Sequence, residues 1–258
     1  MTTMDYGTVT EQPGDLISEE ALAMLYTRYR FAADYCAGKR VLEVACGPGL
    51  GLRYLAKHAR FIAGGDYTQS LLKTERRSSQ SVLPFIRMEA HALPIAPASL
   101  DIVVCYEALY YFPEPDRFLA ECRRVLQPRG LLLLCSVNPE WADFNPSPRS
   151  CRYYSGKALV SLLKTHGFAG NLLGAFPVRK DSLTAHLVSW IKRLAVVLHL
   201  IPSTMKGKQF LKRLFLGRLV PVPSGITEGL APYVDPVPLR TNGPVRDFKI
   251  LFAVARRG

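Results

Sequence analysis

Three glycines at alternate positions follow an apolar, carboxylate-bearing run in the segment "VLEVACGPGLG", residues 41–51. The apolar run predicts a buried strand, and the glycines predict a tight turn that leads into a helix. Because glycine has no side chain, main-chain N–H groups and the positive end of the helix can face a ligand directly. The pattern of Glu43, Gly47, Gly49 and Gly51 therefore predicts a cradle for a nucleotide-type cofactor.

Two kinds of cofactor use such a turn. A dinucleotide-binding turn carries a third glycine that lets the helix pack on the strand, but this chain has Leu52 at that position. With Glu43, Ala45, Gly47 and Gly49, the turn instead resembles the first motif of the class I S-adenosylmethionine (SAM) dependent methyltransferases, in their type 11 or ubiquinone-biosynthesis-like branch. Ala45 occupies the place of the usual first glycine.

Further motifs of that family follow in the family's order, namely "GGDYTQSLL", "RMEAHALPI", "SLDIVVCYEALYYF" and "RVLQPRGLLLL". The resemblance implies SAM as the cofactor. It implies that Asp66 binds both ribose hydroxyls, because two carboxylate oxygens match two donors. It also places Glu89 and the backbone N–H of Ala90 at the adenine, although the family more often has Asp at the first of these positions.

The cofactor pocket predicted from this resemblance includes three tyrosines near the motifs. The predicted cofactor-binding residues are Tyr29, Glu43, Ala45, Gly47, Gly49, Asp66, Tyr67, Glu89, Ala90 and Tyr106. Packing in the core is the alternative role for the tyrosines, and a solvated loop position is the alternative for Glu89.

Residues 107–112 follow the fourth predicted strand and should border the transferred methyl group, because ligands of open α/β sheets bind beyond the carboxyl ends of the strands. Methyl transfer from a sulfonium is an in-line displacement, so placing the acceptor supplies much of the catalysis. A hydroxyl acceptor also benefits from a base. We therefore predict Glu107 and Tyr110 as catalytic residues, with an exposed acid and a packing aromatic as their alternative roles. His91 lies next to the adenine motif, but a single histidine is more often structural.

Strand-like and helix-like segments alternate along most of the chain. An N-terminal helix is predicted from Glu19 to about Tyr35, with Ser18 as its N-cap. The alternation predicts an α/β fold, a Rossmann-like, doubly wound and mostly parallel sheet of seven strands. We divide the chain into a SAM-binding methyltransferase domain, residues 1–178 and 245–258, and a helical insertion, residues 179–244, that forms a cap or substrate lid.

The insertion is strongly basic and amphipathic. Residues 182–227 contain seven of the Lys and Arg residues and no acid, in a chain whose net charge is +12. Two stripes, "LTAHLVSWIKRLAVVLHLIP" and "KGKQFLKRLFLGRLV", predict helices that cover the pocket mouth or lie on an anionic membrane surface. Neither approaches the roughly 20 apolar residues that span a bilayer. In the lid interpretation, Trp190, Leu194, Phe210 or Phe215 faces the acceptor. The alternative is a simple cap with its charges in water.

These features predict a methyltransferase acting on a small-molecule acceptor of amphiphilic, lipid-linked or anionic character, at oxygen rather than nitrogen. The net charge of +12 motivates an RNA methyltransferase as one alternative, but the sequence contains no recognised RNA-binding module. A scaffold that docks through its basic helices is the other alternative. The six cysteines form no CxxC pair and the N-terminus has no signal-peptide pattern, so a cytoplasmic protein without a structural metal is expected. The oligomeric state is not predicted.

Overall fold

The computed structural model of the chain describes residues 5–72, 83–178, 218–240 and 243–258. The strands are β1 Leu16–Ser18, β2 Arg40–Val44, β3 Phe61–Asp66, β4 Phe85–Arg87, β5 Leu100–Tyr106, β6 Leu126–Val137, β7 Phe168–Pro177, β8 Leu219–Pro221, β9 Val237–Pro238 and β10 Phe248–Arg257. The α-helices are α1 Glu19–Cys36, α2 Leu52–Ala56, α3 Pro115–Val125 and α4 Gly156–Thr165. A 3-10 turn spans Leu109–Tyr111.

The central sheet has the order β4-β3-β2-β5-β6-β10-β7-β9. Strands β4, β3, β2, β5 and β6 pair in parallel, and β10 pairs antiparallel with both β6 and β7. The predicted mostly parallel, doubly wound sheet is confirmed. The number of strands differs, because the described part of the insertion adds β9 to the otherwise free edge of β7, with Leu173 opposite Pro238. Backbone pairing between residues this far apart leaves no local pattern in the sequence.

Helices cover both faces of this sheet. Helix α1 begins where predicted, since the Ser18 hydroxyl accepts a hydrogen bond from the Ala21 N–H at 3.1 Å. Its buried side packs with α2 against one face of the sheet, around Phe252. Helices α3 and α4 pack against the opposite face, around Phe118. Complete burial of one such side chain stabilises the fold by roughly 1.5–3 kcal/mol. The two cores therefore hold the sheet in place, together with the edge at which the loops converge.

The described part of the insertion, residues 218–240, lies along the outer side of α1. The Glu228 carboxylate accepts hydrogen bonds from the hydroxyls of Tyr26, at 2.8 Å, and Tyr54, at 2.5 Å. Strand β8 pairs antiparallel with β1, which joins the insertion to the N-terminal segment. The two predicted amphipathic stripes fall almost entirely on residues 179–217, outside the described residues, so the lid stays a prediction.

The direction of β7 bears on that prediction. Strand β10 is antiparallel to both β6 and β7, so β7 runs parallel to β6 and to β2. The chain therefore leaves β7 at the edge of the sheet where β2 also ends. Among the described residues, no helix is long and apolar enough to cross a membrane.

Candidate functional site

A cavity of about 710 Å³ lies at the carboxyl ends of β2, β3, β4 and β5. Its walls are the residues that directly follow these strands, together with α1 and the N-terminal segment. Ten of the predicted site residues line it, namely Tyr29, Ala45, Gly47, Asp66, Tyr67, Glu89, Ala90, Tyr106, Glu107 and Tyr110. Glu43 and Gly49 do not belong to its lining. The structure therefore brings most of the predicted residues to one place, and the two exceptions lie beneath it.

The glycine turn after β2 requires left-handed backbone at three positions, with φ of 57° at Ala45, 56° at Gly47 and 75° at Gly49. A β-carbon added to Gly49 would lie 2.6 Å from the Phe85 ring. One added to Gly51 would lie 1.9 Å from the Tyr29 ring. At both positions an aromatic ring packs directly on the turn, so a side chain there would clash. A contact between Gly49 and the cofactor stays a prediction.

Two buried carboxylates hold the turn. Glu43 accepts a hydrogen bond from the Tyr29 hydroxyl at 2.7 Å, and burial raises the pKa of Glu43 to about 8. Asp66 accepts hydrogen bonds from the backbone N–H of Gly47, at 2.9 Å, and of Thr68, at 2.7 Å. Burial raises the pKa of Asp66, while these N–H donors act in the opposite direction. The Thr68 side chain and the Tyr67 backbone N–H also lower this pKa through hydrogen bonds, so the Asp66 carboxylate is surrounded by protein donors.

Glu107 follows β5 with a left-handed backbone, φ 51°, and its carboxylate lies among three donors. Arg28 Nη2 lies 3.6 Å from Oε1, and Cys135 Sγ lies 3.7 Å from the same oxygen. The Tyr110 hydroxyl donates to Oε2 at 3.0 Å. Burial and the nearby Glu107 charge raise the pKa of Tyr110 well above its usual value, so its hydroxyl stays protonated and donates. These contacts hold the Glu107 carboxylate in one orientation in the cavity wall.

At the other end of the cavity, Glu89 contacts His91. The Glu89 Oε1 atom lies 2.6 Å from His91 Nδ1 and accepts the His91 backbone N–H at 3.3 Å. The imidazole ring packs edge-on against Phe112, and its Nε2 is buried without a hydrogen-bond partner. Glu89 thus lines the cavity and contacts the neighbouring histidine through one carboxylate oxygen, while its contact with the adenine stays a prediction.

The N-terminal segment forms a wall of the cavity that the sequence does not reveal. Tyr6 donates its backbone N–H to Thr68 Oγ1 at 3.2 Å, and its ring packs against Tyr67 and Tyr111. The Thr10 methyl group would lie 2.9 Å from a β-carbon on Gly47. Residues 6–11 therefore cross the glycine turn. Contacts over such sequence distances carry no local signal.

Arg28 is a second unpredicted residue of the site, although the sequence does carry a signal for it. It lies between Leu25 and Tyr29 on the apolar side of α1, where a charge is unusual. Among the described residues, six buried side chains have a polar atom without a hydrogen-bond partner. Four of these six line the cavity or lie beneath it, namely Arg28 Nε, Glu43 Oε2, His91 Nε2 and Tyr106 OH. Buried polar groups are normally paired, so this clustering indicates a polar ligand.

Comparison with known proteins identifies the type of domain. Residues 42–134 match the family model described as a methyltransferase domain. The chain is 41% identical over 121 residues to phthiotriol/phenolphthiotriol dimycocerosates methyltransferase 1 of Mycobacterium ulcerans, covering 43% of this chain and 45% of that protein. It is 32% identical over 155 residues to a protein of Mycolicibacterium smegmatis named "Probable S-adenosylmethionine-dependent methyltransferase", covering 57% and 59%. The chain thus spans about half the length of the curated relatives it matches.

Solved structures agree on the fold. A SAM-dependent methyltransferase of Thermotoga maritima superposes with a TM-score of 0.61 at 14% identity, covering 93% of this chain and 91% of that one. A SAM-dependent methyltransferase of Archaeoglobus fulgidus gives a TM-score of 0.58 at 15% identity, covering 93% and 95%. These matches confirm the resemblance predicted from the sequence. The family and the fold imply SAM as the cofactor.

Proposed function

We propose that this chain, which carries a methyltransferase domain of the SAM-dependent family over residues 42–134, transfers a methyl group to a hydroxyl of a small, largely apolar acceptor. The observation that carries the proposal is the Glu107 carboxylate, held by Arg28 and Tyr110 in a cavity whose other wall is the glycine turn. A carboxylate fixed beside the expected position of the methyl group suits an acceptor that must lose a proton.

The residues of the cavity fit SAM. Asp66 lines the cavity at the end of β3 and would take the ribose hydroxyls. Strand β4 lies next to β3 on the side away from the turn, so Glu89 and Ala90 would lie toward the adenine. Tyr67 and Tyr106 line the cavity between these ends. When bound, SAM supplies an electrophilic methyl group on a sulfonium.

Three further predicted residues would act at the methionine end. Ala45 and Gly47 line the cavity at the turn, and Tyr29 lies beside them. Glu43 and Gly49 lie below the surface of the turn and would act through it, Glu43 through its hydrogen bond with Tyr29. In this account they shape the cradle and do not touch the acceptor.

Glu107 would serve as the proton acceptor for the transfer. The acceptor oxygen forms its bond to the methyl carbon as the bond from that carbon to sulfur breaks, and the hydroxyl proton passes to the Glu107 carboxylate. The products are the methyl ether, the neutral thioether of the cofactor and a protonated Glu107 that returns its proton to water. Tyr110 would orient the carboxylate by its hydrogen bond of 3.0 Å. Such a base contributes typically 10²–10⁴-fold to the rate.

The character of the walls supports an apolar acceptor. Tyr6 and Tyr111 pack at 5.5 Å between ring centroids, and Tyr110 packs against Tyr111 at 4.5 Å. All three line the cavity. Aromatic faces bury apolar or aromatic groups and favour a cationic sulfonium nearby. Two of the relatives are named as methyltransferases of phthiotriol and phenolphthiotriol dimycocerosates. These names support a hydroxyl-bearing lipid as the acceptor class.

The test measures formation of S-adenosylhomocysteine from SAM with three acceptor sets: long-chain alcohols, phenols and the corresponding amines. We expect turnover with hydroxyl acceptors. Glu107→Gln should lower the rate about 10²–10⁴-fold without loss of cofactor binding. Glu114→Gln, at the exposed rim of the same cavity, is the matched control and should keep the wild-type rate. Turnover confined to amines, or a Glu107→Gln rate equal to that of the wild type, would refute the proposal.

A further inference from the structure

Arg28 is a buried cation with too few partners. Its side chain is 14% exposed, and its ion pair with Glu107 spans 3.6 Å, longer than a normal N–H···O hydrogen bond. Its Nε has no hydrogen-bond partner among the described residues. Burial favours loss of the Arg28 proton, but the Glu107 carboxylate, together with the smaller effects of Cys135, Glu11 and Tyr110, outweighs it and raises the pKa of Arg28 above its usual value. The guanidinium therefore stays charged and under-satisfied.

Such a group can accept a further anionic partner. A guanidinium offers five N–H donors in a planar fork that matches the two oxygens of a carboxylate. Removing a charge from water is costly unless it is paired and hydrogen-bonded, and the Nε donor of Arg28 is left unpaired among the described residues. Because Arg28 lines the cavity, a carboxylate entering that cavity can reach it.

The position of Arg28 indicates which carboxylate of a ligand it would bind. The adjacent Tyr29 ring packs on Gly51 of the glycine turn, and its hydroxyl bonds Glu43 on the strand before the turn. Arg28 thus lies where α1 meets the turn, the end of the cavity opposite Glu89. With the ribose at Asp66, the methionine part of the cofactor extends toward this end and carries a carboxylate.

We propose that Arg28 receives the carboxylate of the cofactor's methionine part and, in exchanging partners, releases Glu107 for the acceptor hydroxyl. This inference rests on the proposed function, since it requires that the cavity bind SAM. Arg28 is shared by two carboxylates, one of the protein and one of the ligand. The exchange makes Glu107 available as a proton acceptor only when the cofactor is bound, because until then its Oε1 faces Arg28.

Calorimetry with two matched ligands tests the carboxylate contact. S-Adenosylhomocysteine has the carboxylate, and its decarboxylated analogue lacks only that group. The wild type should bind the first about 10- to 100-fold more tightly, as expected for hydrogen bonds between charged groups. Arg28→Leu should bind both equally, and Arg28→Lys should keep part of the preference. Arg30→Leu is the control, because Arg30 lies on the same helix but pairs with Asp34 at the exposed surface.

A third variant tests the exchange itself. If Glu107 competes with the ligand for Arg28, Glu107→Gln should bind S-adenosylhomocysteine several-fold more tightly than the wild type does. Its affinity for the decarboxylated analogue should not change. A purely structural role for Arg28 would lower the affinity of Arg28→Leu for both ligands alike. Circular dichroism of each variant checks that the fold is retained. If Arg28→Leu does not fold, the affinities of Arg28→Lys for the two ligands are compared with those of the wild type instead.

Each outcome decides a specific claim. A wild type that binds both ligands equally, or an Arg28→Leu variant that keeps the preference, overturns the carboxylate contact while the proposed function survives. Unchanged or weaker S-adenosylhomocysteine binding by Glu107→Gln overturns the exchange. A wild type that binds neither ligand contradicts the proposed function and this inference together.

Discussion

Replacing Glu43 by Gln should change how the stability of the cofactor-free protein depends on pH. Burial raises the pKa of Glu43 from 4.5 to about 8, so the folded state holds a proton that the unfolded state releases. The contribution of Glu43 to stability is therefore fully present below pH 4.5, the pKa of Glu43 in the unfolded state. It is lost as the pH rises through about 8, its pKa in the folded state. At about 1.4 kcal/mol per pKa unit, the shift sets a ceiling of about 5 kcal/mol.

The assay is urea unfolding at about pH 5, close to the pKa of Glu43 in the unfolded state, and at about pH 9, above its pKa in the folded state. The wild type should lose several kcal/mol more than Glu43→Gln across this range, because Gln cannot ionise. Gln also keeps an oxygen that can accept the Tyr29 hydroxyl. Glu114→Gln, an exposed position, is the control and should follow the wild type. If Glu43→Gln and the wild type lose stability in parallel, the conclusion that the buried Glu43 is protonated in the folded state is wrong.

Three further predictions test the walls of the cavity. Asp66→Ala should weaken S-adenosylhomocysteine binding by about 1.5–3 kcal/mol in calorimetry, because it removes the acceptors for the ribose; unchanged affinity would sink that assignment. Gly49→Val should lower the free energy of unfolding by about 1–3 kcal/mol more than Gly14→Val, because both positions have positive φ but only at Gly49 would a β-carbon lie 2.6 Å from the Phe85 ring; equal losses would show that the ring moves away. Tyr6→Ala should speed dissociation of S-adenosylhomocysteine in stopped-flow experiments, since Tyr6 lines the cavity, and an unchanged rate would show that the N-terminal segment does not retain the ligand.

Local chemistry explains what the sequence predicts correctly. The cap at Ser18 depends on one side chain and a nearby N–H, so a short window suffices. The alternation of strands and helices fixes the parallel sheet, because crossover connections allow few arrangements. The carboxyl ends of β2, β3, β4 and β5 then meet at one edge, which is why ten predicted residues line one cavity.

The remaining features depend on contacts between distant parts of the chain. The spacing around Gly49 predicts a turn, but only the fold shows that Phe85 packs against it. Likewise, the approach of Tyr6 to Thr68 and the pairing of β9 with β7 require the assembled sheet. The contact of Glu89 Oε1 with His91 Nδ1 at 2.6 Å is likewise visible only in the fold. When a side chain has several possible partners, packing determines which one it contacts, and the periodicity of the sequence does not encode that packing.

The central claim is that this cavity passes a methyl group from SAM to a hydroxyl oxygen with Glu107 as the proton acceptor. The most direct measurement is mass spectrometry of a long-chain alcohol after incubation with SAM that carries a deuterated methyl group. We predict that the wild type yields a deuterated methyl ether and that Glu107→Gln, while still binding S-adenosylhomocysteine, yields almost none. Label found on carbon, no label on the alcohol, or an equal yield of ether from Glu107→Gln would contradict the account.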